Sequence, residues 1–359
     1  MRLGIVGLPG SGKSAVFNAL TSNAPAKANH LAGGRIEVRS ATVNVPDARL
    51  DALSAVFQPR KTVYAQVTYS DIAGVDRGIS EGALAGPLRN ELAQMDGFLH
   101  VVRAFKSEAV PHPYGAVDPA RDVGVLDGEF LLIDLIAVEK RLERLEQDRH
   151  KVAAADKKMH EREMALFQRL HAHLSADRPL RDMEDLTPDE LKALRGYGFL
   201  SLKPVLIVLN HDEDGPTHLD YPHQRSAVAA MQAQLEAEIA QLDETDAAVF
   251  RAEYGIHEPA AARIIACSYA LLGLHVFFTI GDDEVRAWTL PVGATALEAA
   301  GAVHSDFARG FIRAAVTRYE DVVAMEGSFA RLRAAGKTRM EGRDYVVCDG
   351  DVIEVFFNV

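Results

Sequence analysis

The chain predicts an α/β fold: a P-loop NTPase domain with a mostly parallel sheet, a helical coiled-coil insert and a small α+β terminal domain. Three observations carry this reading. The stretch Gly7-Leu-Pro-Gly-Ser-Gly-Lys-Ser14 reads G-x-x-x-x-G-K-S, the loop that cradles nucleotide phosphates. Near-continuous apolar runs recur at Phe98–Phe105 and Lys203–Asn210, the pattern of parallel strands covered on both faces. Between Glu139 and Arg169 the chain is dense in both signs of charge and lacks glycine and proline, which suits paired helices with solvated faces.

The phosphate loop has the context it needs. Leu3–Gly7 has strand character, and Ala15–Leu20 can open a helix. Glycines permit a tight turn whose backbone N–H groups point at phosphate oxygens, and a helix N-terminus adds a field that favours anions. Gly10, Ser11, Gly12, Lys13, Ser14 and Ala15 are the phosphate-binding candidates. Lys13 reaches the outer phosphates, and the Ser14 hydroxyl can ligate magnesium.

After this loop comes a Gly/Ala-rich connection, Asn23–Gly34, then strand-like stretches at Glu37–Val45 and Thr62–Tyr69. Leu135, Val138, Leu142, Leu145 and Val152 repeat at helical spacing, and a second helix carries Leu166 and Leu170, so an antiparallel hairpin is expected. Thr187-Pro-Asp-Glu190 reads as a helix start. Lys203–Asn210 resumes the buried sheet, 228–243 reads as an acidic helix, and 259–278 as a strand-like piece followed by the apolar run Leu271–Phe278. The last unit holds a strand at Glu284–Leu290, a short helix at Ala294–Ala302, a hairpin signal at Asp349-Gly350 and a closing strand at Val352–Phe357. The division expected is a P-loop domain of residues 1–125 and 201–281, an insert of 126–200 and a terminal domain of 282–359.

Composition narrows the function classes. At 359 residues and 48% hydrophobic the chain can fill two or three cores. A formal net charge of −12 disfavours a general nucleic-acid coat. Cys267 and Cys348 make no metal spacing and read as reduced, buried residues. No apolar stretch reaches membrane-spanning length, and the N-terminus runs into the first strand, so a cytoplasmic protein without membrane partners is expected.

Asp71-Ile-Ala-Gly74 follows a strand, where D-x-x-G supplies an aspartate for the magnesium shell and a glycine N–H for the γ-phosphate. Asn210-His-Asp-Glu213 ends a later strand, where N-K-x-D reads guanine in this class. Here the acid is Glu213, one methylene longer, which moves the expected base toward adenine. Val75 stands where many GTP-hydrolysing switches carry a glutamine, and a valine cannot position water.

These pieces together resemble the YchF/Obg-like ATPase family over nearly the full length. The resemblance rests on Gly4–Ser14, Phe17–Thr21, Pro46–Leu53, Asp71–Gly74, His100–Phe105, Asn210–Glu213 and the terminal stretches Glu284–Thr289, Gly310–Ala314, Gly342–Val347, Asp349–Val352 and Phe357–Val359. It implies a G domain, a coiled-coil insert and a ubiquitin-like TGS domain at the C-terminus. It also implies ATP hydrolysis on a GTPase-derived fold and association with ribosomes. Two departures stand out. Arg35 replaces the switch threonine that completes a magnesium site, and Gly78–Gly86 loses part of the family's glycine-rich segment.

The function expected is a Mg2+-dependent ATPase of low intrinsic activity, acting as a nucleotide-dependent ribosome-associated factor and a monomer. Lys13 and Gly74 are its catalytic candidates, Ser14 and Asp71 its metal ligands, and Asn210 and Glu213 its base contacts. A GTPase of the same fold and a nucleotide-regulated binder without turnover are the alternatives. RNA contact is expected through the insert or the terminal domain. Nine Lys/Arg and seven acids between Glu139 and Arg169 leave open a basic face or an evenly mixed one.

Overall fold

The computed structural model describes every residue except 22, 23, 25, 32–35, 73–85, 152, 154, 155, 254–257 and 359, and the backbone only of 28–31, 36 and 244. The first elements are β1 (Arg2–Val6), α1 (Lys13–Thr21), β2 (Lys27–Leu31), β3 (Ile36–Asn44), α2 (Ala48–Phe57), β4 (Lys61–Val63) and β5 (Gln66–Ile72). Next come α3 (Pro87–Ala93), β6 (Gly97–Ala104), α4 (Pro119–Asp148), α5 (Lys157–Leu174), α6 (Pro188–Leu194), β7 (Val205–His211) and β8 (Ser226–Met231). Then follow α7 (Ala233–Ile239), α8 (Glu244–Glu253), α9 (Ala260–Leu271), β9 (Leu274–Ile280), β10 (Glu284–Pro291), α10 (Ala296–Val303) and α11 (Ser305–Arg309). The chain closes with β11 (Phe311–Arg318), α12 (Tyr319–Ala324), α13 (Phe329–Ala334), β12 (Arg339–Glu341) and β13 (Asp351–Phe357). It divides into two compact units, Met1–Thr42 with Thr68–Ile264, and Val43–Val67 with Ile265–Val359.

In the first unit the sheet runs β2-β3-β5-β1-β6-β7-β8. β1 lies parallel to both β5 and β6, and β6, β7 and β8 continue in parallel. β6 is buried along its whole length, as its apolar run predicts. Phe98 on β6, Leu88 and Leu92 on α3, and Leu126 and Phe130 on α4 form a core against one face. The Phe98 and Phe130 ring centroids are 4.9 Å apart.

α4 and α5 form the antiparallel hairpin. Asp118 caps α4 by accepting from the Arg121 N–H at 3.1 Å, and Pro119 occupies the first turn. Val138, Leu145, Leu166, Phe167 and Leu170 fill the seam, which the partial heptad rhythm predicts. Val152, the last residue of that rhythm, lies outside the described residues. Arg141 and Glu163 pair across the seam, with the Arg141 Nε 2.9 Å from a Glu163 carboxylate oxygen. Arg149 pairs with Glu146 and Lys151 with Asp148, while Arg169 pairs with both Asp185 and Glu190. These pairs set charges of both signs side by side on the hairpin's described surface. Thr187 and Glu190 form a reciprocal capping box at α6. Lys203 donates to the Ala93 carbonyl at 2.7 Å and to that of Met95 at the end of α3; burial lowers its pKa to about 8.

In the second unit the sheet runs β12-β11-β13-β9-β10-β4. β9 and β10 pair antiparallel, as do β11 and β13, and β13 meets β9 in parallel. Thr295 and Glu298 form a second capping box at the start of α10, which packs Ala296, Ala299 and Ala300 on Phe277 and Val316.

Several local expectations change. The connection 23–34 contains β2, paired antiparallel with β3. Thr62–Tyr69 is two strands, because β4 joins β10 in the second sheet while β5 joins the first. The segment 228–243 begins with β8, whose alanines read as helix until β7 supplies six backbone partners. Residues 260–271 are helical rather than strand-like. Asp349-Gly350 is a turn with Gly350 at φ 85°, but β13 pairs with β11 and β9, so no hairpin closes over it. Cys348 is exposed and Cys267 half-buried, and both are free thiols. Contacts group 43–67 and 265–281 with the C-terminal unit: Arg49 on α2 pairs with Asp349 at 2.8 Å, and Phe57 stacks on Phe329 at 5.8 Å.

Candidate functional site

β1 is flanked by parallel neighbours, with Ile5 opposite Asp71 and Val6 opposite His100. The chain leaves its C-terminal end into the phosphate loop, and α1 begins at Lys13. Two glycines make the turn possible. Gly7 has φ 149°, and a Cβ there would strike the Val101 carbonyl. Gly12 has φ 91°, and a Cβ there would strike the Asn210 side-chain amide. Gly12→Ala is therefore expected to abolish nucleotide binding; a titration giving wild-type affinity would refute this.

Lys13 folds back over the loop. Its Nζ donates to the Gly7 carbonyl at 3.1 Å and the Leu8 carbonyl at 3.0 Å. This holds the ammonium over the backbone amides that face a phosphate. Ser14 donates through Oγ to Asp71 Oδ2 at 3.3 Å. Asp71 is nearly buried, close to the C-terminal end of β5. A hydroxyl and a carboxylate side by side are hard oxygen donors, the set that suits a magnesium ion whose other ligands are water and phosphate oxygens. No group of three or more His, Cys, Asp or Glu forms a metal cage among the described residues. Ser11 is buried and Ala15 lies in the first turn of α1, each beside the loop as the motif requires.

Asn210 lies near the end of β7 and is 6% exposed. Its amide nitrogen donates to the Ser11 carbonyl at 3.0 Å, and its amide oxygen accepts from the Ala233 N–H at 3.1 Å, at the start of α7. Both polar ends of this side chain join the phosphate loop to α7. Glu213 is exposed in the turn that follows β7. That turn is fixed by its neighbours: Asp212 accepts from the Lys106 N–H at 3.0 Å, and His211 donates to the Asp212 carbonyl at 2.7 Å. The structure thus brings Gly10 to Ala15, Asp71 and Asn210 together and leaves Glu213 in a solvent-facing turn at the same end of the sheet. Gly74, with Val75 and Arg35, lies outside the described residues.

One residue at this site escaped the sequence reading. Arg103 interrupts the apolar run of β6 and is 2% exposed. The signal was a single charge inside an otherwise apolar strand. His100, also on β6, is fully buried, and burial lowers its pKa to about 4, so it is neutral near pH 7.

A mostly parallel sheet with a glycine loop at the end of its central strand, a lysine folded across that loop and a serine–aspartate pair beside it define a P-loop nucleotide-binding protein. Comparisons with known proteins refine this class. Residues 2–123 match a family described as 50S ribosome-binding GTPase, and residues 274–358 match YchF-GTPase_C, described as a protein of unknown function (DUF933). The chain is similar to the ribosome-binding ATPase YchF of Pasteurella multocida, 39% identical over 367 residues, covering 100% of this chain and 99% of the relative. It is equally similar to the protein of that name from Bacillus subtilis, 39% identical over 368 residues and 99% of each chain. A solved structure described as the Schizosaccharomyces pombe YchF GTPase superimposes with a TM-score of 0.85 at 29% identity, covering 99% of this chain and 97% of that one. The chain belongs to the YchF family.

Proposed function

We propose that this protein is a Mg2+-dependent ATPase that couples nucleotide state to ribosome binding in the cytoplasm. The observation that carries the reading is the joint placement of Lys13 over the loop carbonyls and of Ser14 against Asp71. Relatives of near-identical length named ribosome-binding ATPases support the activity and the partner. Among the described residues no helix is long and apolar enough to cross a membrane.

The roles follow from position for the described residues and from the D-x-x-G motif for Gly74. Backbone amides of Gly10, Ser11 and Gly12 face the β-phosphate, and Lys13 stabilises charge that grows on the transferred phosphoryl group. Ser14 and Asp71 would hold magnesium, which would supply positive charge to neutralise the phosphates. Gly74 serves the γ-phosphate through its N–H. Glu213, in its exposed turn, accepts from the amino group of adenine, and Asn210 fixes the phosphate loop through the Ser11 carbonyl. The domain assignment that suits this work is a P-loop domain, a hairpin insert and a TGS-like terminal domain, with the latter two presenting surface to ribosomal RNA or protein.

Parallel titrations with ATP and GTP in magnesium, with phosphate release measured with and without ribosomes, test the reading. Tighter binding of ATP and ribosome-dependent turnover are expected, both lost in Lys13→Ala. Preference for GTP would transfer the activity to a GTPase of the same fold. Binding without any phosphate release would leave a nucleotide-regulated binder.

A further inference from the structure

We propose that Arg103 is a further nucleotide-binding residue, whose guanidinium reaches the bound nucleotide's phosphates from beside the phosphate loop. The inference rests on the nucleotide-binding reading above and adds to it a residue outside the loop motif.

Arg103 sits on a strand buried on every residue, where an apolar side chain would pack at no electrostatic cost. Burying a guanidinium is costly unless an anion or a full set of acceptors compensates it. Compensation here is partial. Nε donates to the Phe105 carbonyl at 3.2 Å and Nη2 to the Ser107 carbonyl at 3.4 Å, and the Phe105 ring centroid lies 4.6 Å from Cζ. Nη1 is buried with no hydrogen-bond partner, and no carboxylate pairs with Arg103 among the described residues. A second buried arginine in this unit marks the contrast. Arg181 also has one unpartnered nitrogen, but it pairs with Asp127 at 3.4 Å and with the Tyr221 hydroxyl, so its charge is already answered within the fold.

The free nitrogen of Arg103 has a direction. Nη1 lies 3.5 Å from the point a Cβ on Gly10 would occupy, so it abuts the phosphate loop itself. Arg103 is the register partner of Asn210, which holds the Ser11 carbonyl of the same loop. A cation only partly compensated, against a loop built to receive polyphosphate, finds its remaining counter-charge in the ligand. The ligand class is a nucleoside di- or triphosphate, and the missing acceptor is a phosphate oxygen.

The test compares wild type with Arg103→Met and Arg103→Lys. Affinities for ATP, ADP and adenosine are measured by calorimetry, and melting is followed with and without ATP. Arg103→Met is expected to lose at least about tenfold in affinity for ATP and ADP and little for adenosine, with Arg103→Lys intermediate. Its nucleotide-free melting temperature should equal or exceed that of wild type, because a buried charge that the fold compensates only in part has been removed, so the ATP-induced rise in Tm should shrink. Wild-type affinity in Arg103→Met would overturn the proposal. So would a lower nucleotide-free Tm with equal losses for ATP and adenosine, which would make Arg103 a strut for the 105–110 loop. If Arg103→Met does not fold, Arg103→Lys decides on the same two readouts. Failure of wild type to bind ATP at all would instead remove the nucleotide reading, and Lys13→Ala marks that baseline.

Discussion

Replacing Asn210 with alanine should cost the folded protein about 2–4 kcal/mol and weaken nucleotide binding at least tenfold. The side chain links three separated segments: the end of β7, the phosphate loop and the start of α7. Its amide donates to the Ser11 carbonyl at 3.0 Å and accepts from the Ala233 N–H at 3.1 Å, and it is almost wholly buried. Truncation leaves a buried carbonyl and a buried N–H without partners, each costing about 1–3 kcal/mol. The carbonyl belongs to the loop whose amides must face the phosphate, so the loss reaches the ligand. Asn210→Asp should be no milder, because it keeps an acceptor for Ala233 but sets a carboxylate oxygen against the Ser11 carbonyl. Urea denaturation gives the stability change, and titration with ATP and GTP gives the affinities. Equal losses for both nucleotides are expected of a residue that fixes the loop. A change in preference between them would make Asn210 a base reader instead.

That double commitment of Asn210 marks where sequence reading stops. β1, the glycine loop and α1 were legible because motif and context are contiguous. β6 and β7 were legible because strands covered on both faces need apolar residues at every position. The Ser14–Asp71 pair followed from two motifs known to converge at the ends of neighbouring strands. β8 was not legible. Ser226-Ala-Val-Ala-Ala-Met231 has little β-propensity, and only the free edge of β7 makes it a strand. The split of Thr62–Tyr69 was hidden for the same reason, since its halves find partners far apart in the chain, β4 on β10 and β5 on β1. The N-x-x-E signature gives Asn210 as a base contact, and the partners the structure adds are backbone groups of Ser11 and Ala233. Arg103 reads in the sequence only as one residue of a buried strand, and its unpartnered Nη1 is what the structure adds.

Asp134→Ala should destabilise the protein by about 3–5 kcal/mol, and the pH dependence of Asp134→Asn should identify the cause. Asp134 lies on α4 and is fully buried. Its carboxylate accepts from the Leu200 N–H at 3.0 Å and from the Ser201 N–H and hydroxyl at 2.7 Å each. It thereby fastens the helix that leads into the hairpin to the chain that returns from it toward β7. Three donors favour the charged form, yet burial outweighs them and raises the pKa from 3.8 to about 6. A carboxyl whose folded pKa exceeds its unfolded value binds its proton more tightly in the folded state. Its contribution to stability is fully present below about pH 4, is lost as pH rises through about 6, and is flat beyond. The loss is on the order of 3 kcal/mol at about 1.36 kcal/mol per pKa unit. Asparagine cannot titrate, so the stability of wild type minus that of Asp134→Asn should fall by a comparable amount between about pH 4 and pH 6.5. Carboxylates shared by both proteins cancel in that difference. A difference that grows with pH would mean that the three donors prevail over burial and that Asp134 is held as an anion. In that case the joint would tighten as the proton leaves, and the hairpin's base would be firmest at neutral pH rather than in acid.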